Sequence, residues 1–204
     1  MNLPNKLSVL RMILVPVFMV VLALPSAVLP AWISAIIGAV IFIVASITDC
    51  LDGKIARKYN LITDFGKLID PLADKFMVIG ALVMILYRAE SYRALFAAAL
   101  ALVVFREMAV TSMRLITAAK SGVAVPANML GKIKTVSQIV FVIAALIEPL
   151  LYTAGELLIP SAALWAPLLR ILPLTLLSCI VMSVFTVWSG LHYIVALWKY
   201  IETK

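Results

Sequence analysis

Apolar runs of about twenty residues or more recur six times along this chain, and that is the length an α-helix needs to cross the hydrocarbon of a bilayer. No water is available there to satisfy a stray backbone N–H or C=O, so a spanning segment closes its hydrogen bonds within itself, as a helix. The approximate crossings are Leu7 to Leu29, Trp32 to Arg57, Phe65 to Tyr87, Tyr92 to Ala118, Ile133 to Tyr152 and Ile171 to Trp198. Of the 204 residues, 65% are hydrophobic and 13% charged, whereas soluble domains carry about a quarter charged residues. The sequence therefore predicts an all-α polytopic membrane protein, one domain spanning 1–204 with six transmembrane helices. No internal repeat or low-complexity tract divides it.

The first run is long, has no small-residue cleavage pattern and carries Lys6 and Arg11 in front of it. It is expected to be a retained helix rather than a signal peptide. Its opening, Asn2 to Arg11, mixes apolar and basic positions, which suits a segment along the interface before the chain enters the bilayer. Pro16 and Pro25 are placed to bend or end that helix. The segment Ala119 to Gly131 is expected to be a loop, since it holds Gly122, Pro126 and Asn128. Pro149, Gly155 and Pro160 are expected to mark a second long connection on the opposite side.

Six crossings put both termini on one side, and basic residues indicate which. Lys6, Arg11, Lys54, Arg57, Lys58, Lys67, Lys75, Lys120, Lys132, Lys134, Lys199 and Lys204 fall on the side of the termini, against Arg88, Arg93 and Arg170 opposite. Both ends are expected in the cytoplasm, at the cell membrane. The net charge of +7 is then explained by attraction of Lys and Arg to anionic lipid headgroups, with no nucleic acid needed. Cys50 and Cys179 lie on different crossings with no metal-like spacing and are expected to be buried as small apolar side chains. Trp165, Trp188 and Trp198 suit either interfacial anchoring or packing.

Half of the ten acidic residues fall between Asp49 and Asp74. With about 100° of turn per residue, Asp49, Asp52, Gly53 and Ala56 share an arc of roughly 100° on the second crossing. On the third, Gly66, Asp70 and Asp74 recur every four residues and form one stripe. Eight residues separate Arg57 from Gly66, enough for a tight reversal, so the two crossings are expected to be antiparallel neighbours whose four carboxylates converge. Ionisable groups at membrane depth are costly and point to function. Like charges this close need an offsetting cation, and Mg²⁺, Mn²⁺ or Ca²⁺ take carboxylate oxygens. Two ions would suit phosphoryl displacement. Gly53 and Ala56 leave room for a planar ligand or a diphosphate beside the helix.

The run Asp49-x-x-Asp52-Gly53-x-x-Ala56-Arg57 with Gly66-x-x-x-Asp70-x-x-x-Asp74 resembles the signature of the CDP-alcohol phosphotransferases at every specified position. The six-helix topology of that family extends the likeness over most of the chain. Leu3-Pro4-Asn5-Lys6-Leu7-Ser8-x-x-Arg11, the pair Arg106-Glu107 with Arg114, and Gly131-Lys132-x-Lys134-Thr135 resemble the branch that uses glycerol 3-phosphate; that branch more often has Thr where Ser8 stands.

The resemblance implies CDP-diacylglycerol as donor, glycerol 3-phosphate as acceptor, phosphatidylglycerophosphate and CMP as products, a divalent metal (Mg²⁺ or Mn²⁺, two ions) and a homodimer. Asp49, Asp52, Asp70 and Asp74 would hold the metals, with Asp74 as the base that deprotonates the acceptor hydroxyl. Asp52, Gly53, Ala56, Arg57 and Gly66 would line the donor nucleotide site, although Arg57 suits helix capping or ion pairing equally. A phosphate on the acceptor calls for Arg and Lys donors. Arg106 and Arg114, about 80° apart on the fourth crossing, are the candidates, with a pair to Glu107 as the structural alternative for Arg106. Lys132 and Lys134 lie about 200° apart if helical, so one of them serves the acceptor and the other lipid or water. His192 lacks ligand-spaced company and is read as structural.

Three rivals stand beside this reading. One keeps fold and donor but takes phosphatidylglycerol, inositol phosphate or serine as acceptor. The others are an intramembrane prenyltransferase and a cation transporter with Asp ligands. A prenyltransferase has more crossings and another Asp pattern, and a transporter leaves Gly53, Ala56 and the basic groups unexplained.

Overall fold

The computed structural model describes residues 2–59, 63–121, 129–158, 167–168 and 171–202. Among the described residues there is no strand, and six long helices follow one another: α1 (Leu3–Ala23), α2 (Ala31–Lys58), α3 (Asp64–Arg88), α4 (Arg93–Ser121), α5 (Met129–Leu158) and α6 (Pro173–Glu202). Five of them, all but α3, are long and apolar enough to cross a membrane. The first half of α3 carries Asp64, Lys67, Asp70, Asp74 and Lys75, so the helix that departs from the apolar rule is one that bears the signature. The protein is a multi-pass, all-helical membrane protein.

The local chemistry accounts for the ends. Pro4 lies in the first turn of α1, where a missing N–H costs nothing. The chain is helical from Leu3, so its opening stretch is continuous with the apolar run. α1 stops at Ala23, short of the expected Leu29, because Leu24 precedes Pro25 and adopts the extended ψ of 136° that such a position favours. Thr63 caps α3 by accepting the Gly66 N–H at 3.1 Å.

Three expectations are corrected. Pro149 and Gly155 lie inside α5 instead of marking a connection; membrane helices tolerate interior Pro where neighbouring groups satisfy the carbonyl it frees. Gly131 is likewise helical, within the first turn of α5. Cys50 is exposed on the outside of α2, while Cys179 is buried as expected. Gly122, Pro126, Asn128, Pro160 and Trp165 lie outside the described residues.

Large apolar side chains such as Val20, Phe105, Leu177 and Val195 point outward, as lipid-facing residues do. Inside, Phe18, Phe42, Met77, Val103, Phe141 and Met182 build the core. Buried Ala39, Ala45, Ala73, Ala81 and Ala99 let backbones approach. α1 packs on both α2 and α3, and α6 on both α4 and α5; contacts of α2 with α5, and of α3 with α4 and α5, join the halves. The expected close pairing of α2 with α3 is slight, because α1 is seated against both.

The far end of the bundle is tied by two charged side chains. Arg88, ending α3, donates to the Ser34 hydroxyl at 2.8 Å and the Ala31 carbonyl at 3.0 Å at the start of α2, which sets α2 and α3 antiparallel. Glu148 of α5, 1% exposed, accepts the N–H of Leu174 at 2.8 Å and of Thr175 at 2.6 Å, and the Tyr152 hydroxyl at 2.9 Å. A carboxylate from one helix thus caps the first turn of the next, where unpaired N–H groups and the helix dipole favour negative charge.

Candidate active site

At the opposite end, α2 brings Asp49 and Asp52, α3 brings Asp70 and Asp74, and α1 comes between them. Arg11, 0% exposed, places one terminal nitrogen 2.6 Å from Asp49 and on Asp74, and the other on Asp52. Ser8, one turn earlier, donates to Asp70. Asn5 accepts from the Thr63 hydroxyl at 3.0 Å. A Cβ on Gly66 would stand 3.0 Å from the Asn5 side-chain oxygen, so it is the missing side chain there that admits α1. Asn5, Ser8 and Arg11 recur every third residue and share a face of roughly 120°. That face is buried, turning from polar near the start of α1 to apolar at Val15, Phe18 and Leu22.

The four carboxylates converge as the spacing predicts. Asp52 lies within electrostatic reach of Asp49 and Asp70, and Asp74 within reach of Asp49 and Asp52. Exposure is graded: the Asp52 side chain is 6% exposed, Asp49 33% and Asp74 50%. The centre is closed at Asp52 and open towards Asp49 and Asp74. Gly53 is half-buried next to Asp52. Ala56 and Arg57 lie on α2, but their side chains fall outside the described residues.

A divalent cation fits this donor set in kind. Every donor is a carboxylate oxygen, the ligand hard cations take, and the buried guanidinium shows that the position accommodates positive charge. With Arg11 between them, no three acidic, His or Cys side chains among the described residues are grouped closely enough to hold one ion.

A second charged cluster lies on the other half of the bundle. Glu107 of α4 accepts from Arg106 at 2.9 Å and from Lys134 of α5. The Arg114 guanidinium donates to the Tyr193 hydroxyl at 3.1 Å and lies 4.9 Å from the centre of its ring, with that of Arg106 at 5.7 Å. Such placement over an aromatic face is favourable for a cation. Tyr193 is buried on α6, and a Cβ on Gly190, three residues earlier, would come within 3.1 Å of the Arg106 stem. Arg106 and Arg114 therefore face one place, as their angular separation predicts. Lys134 joins them and is buried, while Lys132 is exposed. His192 is exposed, its ring 6.5 Å from that of Tyr193.

The two clusters adjoin. Lys75, next to Asp74, donates to Thr111 of α4 at 2.8 Å, and Lys134 feels the charge of Asp74. Asn5, Ser8 and Arg11 were legible only as branch marks, although polar residues three apart at the head of an apolar run are a signal in themselves. Tyr193 has no sequence signal, since nothing local announces that two arginines of another helix will rest on it.

Comparison with known proteins identifies the family. The pattern of the CDP-alcohol phosphatidyltransferase family matches residues 1–198. A Bacillus subtilis (strain 168) protein named CDP-diacylglycerol–glycerol-3-phosphate 3-phosphatidyltransferase is 36% identical over 214 aligned residues, covering 100% of this chain and 98% of that protein. A protein of the same name from Salmonella typhimurium (strain LT2) is 34% identical, covering 96% of this chain and 94% of its own length. Another, from Rickettsia felis, is 37% identical over 67% of this chain and 70% of its own.

Proposed function

The chain belongs to the CDP-alcohol phosphatidyltransferase family, and from that membership we propose that it transfers the phosphatidyl group of CDP-diacylglycerol to glycerol 3-phosphate. The products are phosphatidylglycerophosphate and CMP. The observation that carries the choice of acceptor is the grouping of Arg106, Arg114 and Lys134 beside the aspartate centre. Arginine and lysine side chains gathered in one place suit a phosphate, and a free amino alcohol would have no use for them. The relatives named for the same reaction support the same acceptor.

Asp49, Asp52, Asp70 and Asp74 would hold the divalent metal, Mg²⁺ or Mn²⁺ as two ions. The metal would supply charge neutralisation on the donor diphosphate and on the departing CMP. Asp52, Gly53, Ala56, Arg57 and Gly66 would form the donor site, where the bare backbone at Gly53 admits the nucleotide. Gly66 also has a packing duty against Asn5. Asp74, the most open of the three carboxylates on Arg11, takes the proton from the acceptor hydroxyl as that oxygen attacks the β-phosphorus. Arg106, Arg114 and Lys134 grip the acceptor phosphate, and the exposed Lys132 meets lipid headgroups or water. With no Ser/His or Cys/His pairing at a recognisable spacing, the displacement is direct. The enzyme works as a homodimer in the cell membrane, with termini and active site facing the cytoplasm, where most of its Lys and Arg lie.

The test is an acceptor panel. Purified protein with CDP-diacylglycerol and Mg²⁺ or Mn²⁺ should release CMP with glycerol 3-phosphate, and not with inositol phosphate, serine or phosphatidylglycerol. Preference for any of the other three would overturn the choice of acceptor.

A further inference from the structure

All four signature carboxylates already have a donor from α1: Arg11 for Asp49, Asp52 and Asp74, and Ser8 for Asp70. Any divalent ion that uses these oxygens must take them from Arg11. A guanidinium cannot yield by losing its proton, because it stays charged at any accessible pH. It has to change partners.

Its surroundings limit the choice. Arg11 is fully buried, and its Nε has no partner among the described residues. Removing its carboxylates without replacement would strand a buried charge, which is strongly unfavourable. The centre is open on the side of Asp49 and Asp74. An anion arriving there would meet the guanidinium as the carboxylates turn to a metal, and a diphosphate presents the bidentate oxygens that its fork prefers.

We propose that Arg11 couples the binding of the divalent cation to that of the donor diphosphate, by holding Asp49, Asp52 and Asp74 when the cation is absent and passing to the diphosphate when the cation takes them. The inference rests on the metal reading of the aspartate centre given above. It makes the two ligands cooperative. The cation alone must displace Arg11 into an unpaired state, whereas the cation with the diphosphate leaves every charge matched. By linkage each raises the affinity of the other by the same factor.

The experiment measures Mn²⁺ affinity of detergent-purified protein from free-Mn²⁺ electron paramagnetic resonance, with and without saturating CDP, for wild type, Arg11→Met and Arg11→Lys. Monodispersity by size exclusion confirms that each variant is folded. For wild type, CDP should tighten Mn²⁺ binding by roughly tenfold or more, within the usual range of coupling between sites. Arg11→Met should bind Mn²⁺ more tightly than wild type in the absence of CDP, and CDP should then change its affinity by less than about threefold. Arg11→Lys, which keeps the charge and loses the fork, should show coupling between the two, and it decides the question if Arg11→Met does not fold. Equal coupling in wild type and both variants, or weaker Mn²⁺ binding by Arg11→Met without CDP, would overturn the proposal and leave Arg11 as a simple brace. Absence of Mn²⁺ binding in all three proteins, with and without CDP, would instead sink the metal reading and the proposal with it.

Discussion

The two charged clusters are opposites in polarity and alike in plan. In one, the Arg11 guanidinium holds Asp49, Asp52 and Asp74 while the Ser8 hydroxyl holds Asp70. In the other, Arg106 and Lys134 pair with Glu107, and Arg106 and Arg114 lie against the ring of Tyr193. Among the described residues carboxylates predominate in the first cluster and cations in the second, so the first suits cations and the second an anion.

The comparison is broken most directly at Asp74, the carboxylate nearest in role to the acceptor. Asp74→Asn should lower kcat by about 10²- to 10⁴-fold, the usual contribution of a positioned base, while CDP-diacylglycerol binding is largely kept; CMP release and a donor-binding isotherm measure the two. Normal turnover would remove Asp74 as the base.

Next comes the basic cluster. Arg106→Ala or Arg114→Ala should raise the KM for glycerol 3-phosphate by about 10- to 100-fold, as expected for the loss of a charge-assisted hydrogen bond. The KM for the donor should hardly move. Equal effects on both substrates would make the arginine a structural part and dissolve the contrast between the clusters.

The smallest effect is the most discriminating. Tyr193→Phe keeps the ring under both guanidinium groups and removes only the hydroxyl that Arg114 donates to. It should cost about 0.5–1.5 kcal/mol, read as a rise in acceptor KM of several-fold, with kcat and donor KM unchanged. A larger loss, or one spread over both substrates, would show that Tyr193 supports the bundle more than it supports the anion site.

Much of this was legible from the residues. Period and spacing determine which side chains share a helical face, so the convergence of Asp49, Asp52, Asp70 and Asp74 and the pairing of Arg106 with Arg114 followed from about 100° per residue. Hydropathy marked the crossings for the same reason, and erred where its cues were weakest. Pro149 and Gly155 look like breakers in isolation, yet both lie inside α5. What local rules do not carry is which helix lies between which. The slight contact of α2 with α3, and the insertion of α1 between their carboxylates, depend on contacts between residues far apart in the sequence. For that reason Arg11 read as a basic residue near a terminus when it is the residue on which three of the carboxylates meet.

The position of Arg11 also orders the birth of the protein. The ribosome makes this residue before any of its three acidic partners, and a charge within a lone apolar helix is costly until it finds them. The buried end of the first helix is paired only once the two helices that follow have emerged, so the aspartate cluster and the packed bundle form together.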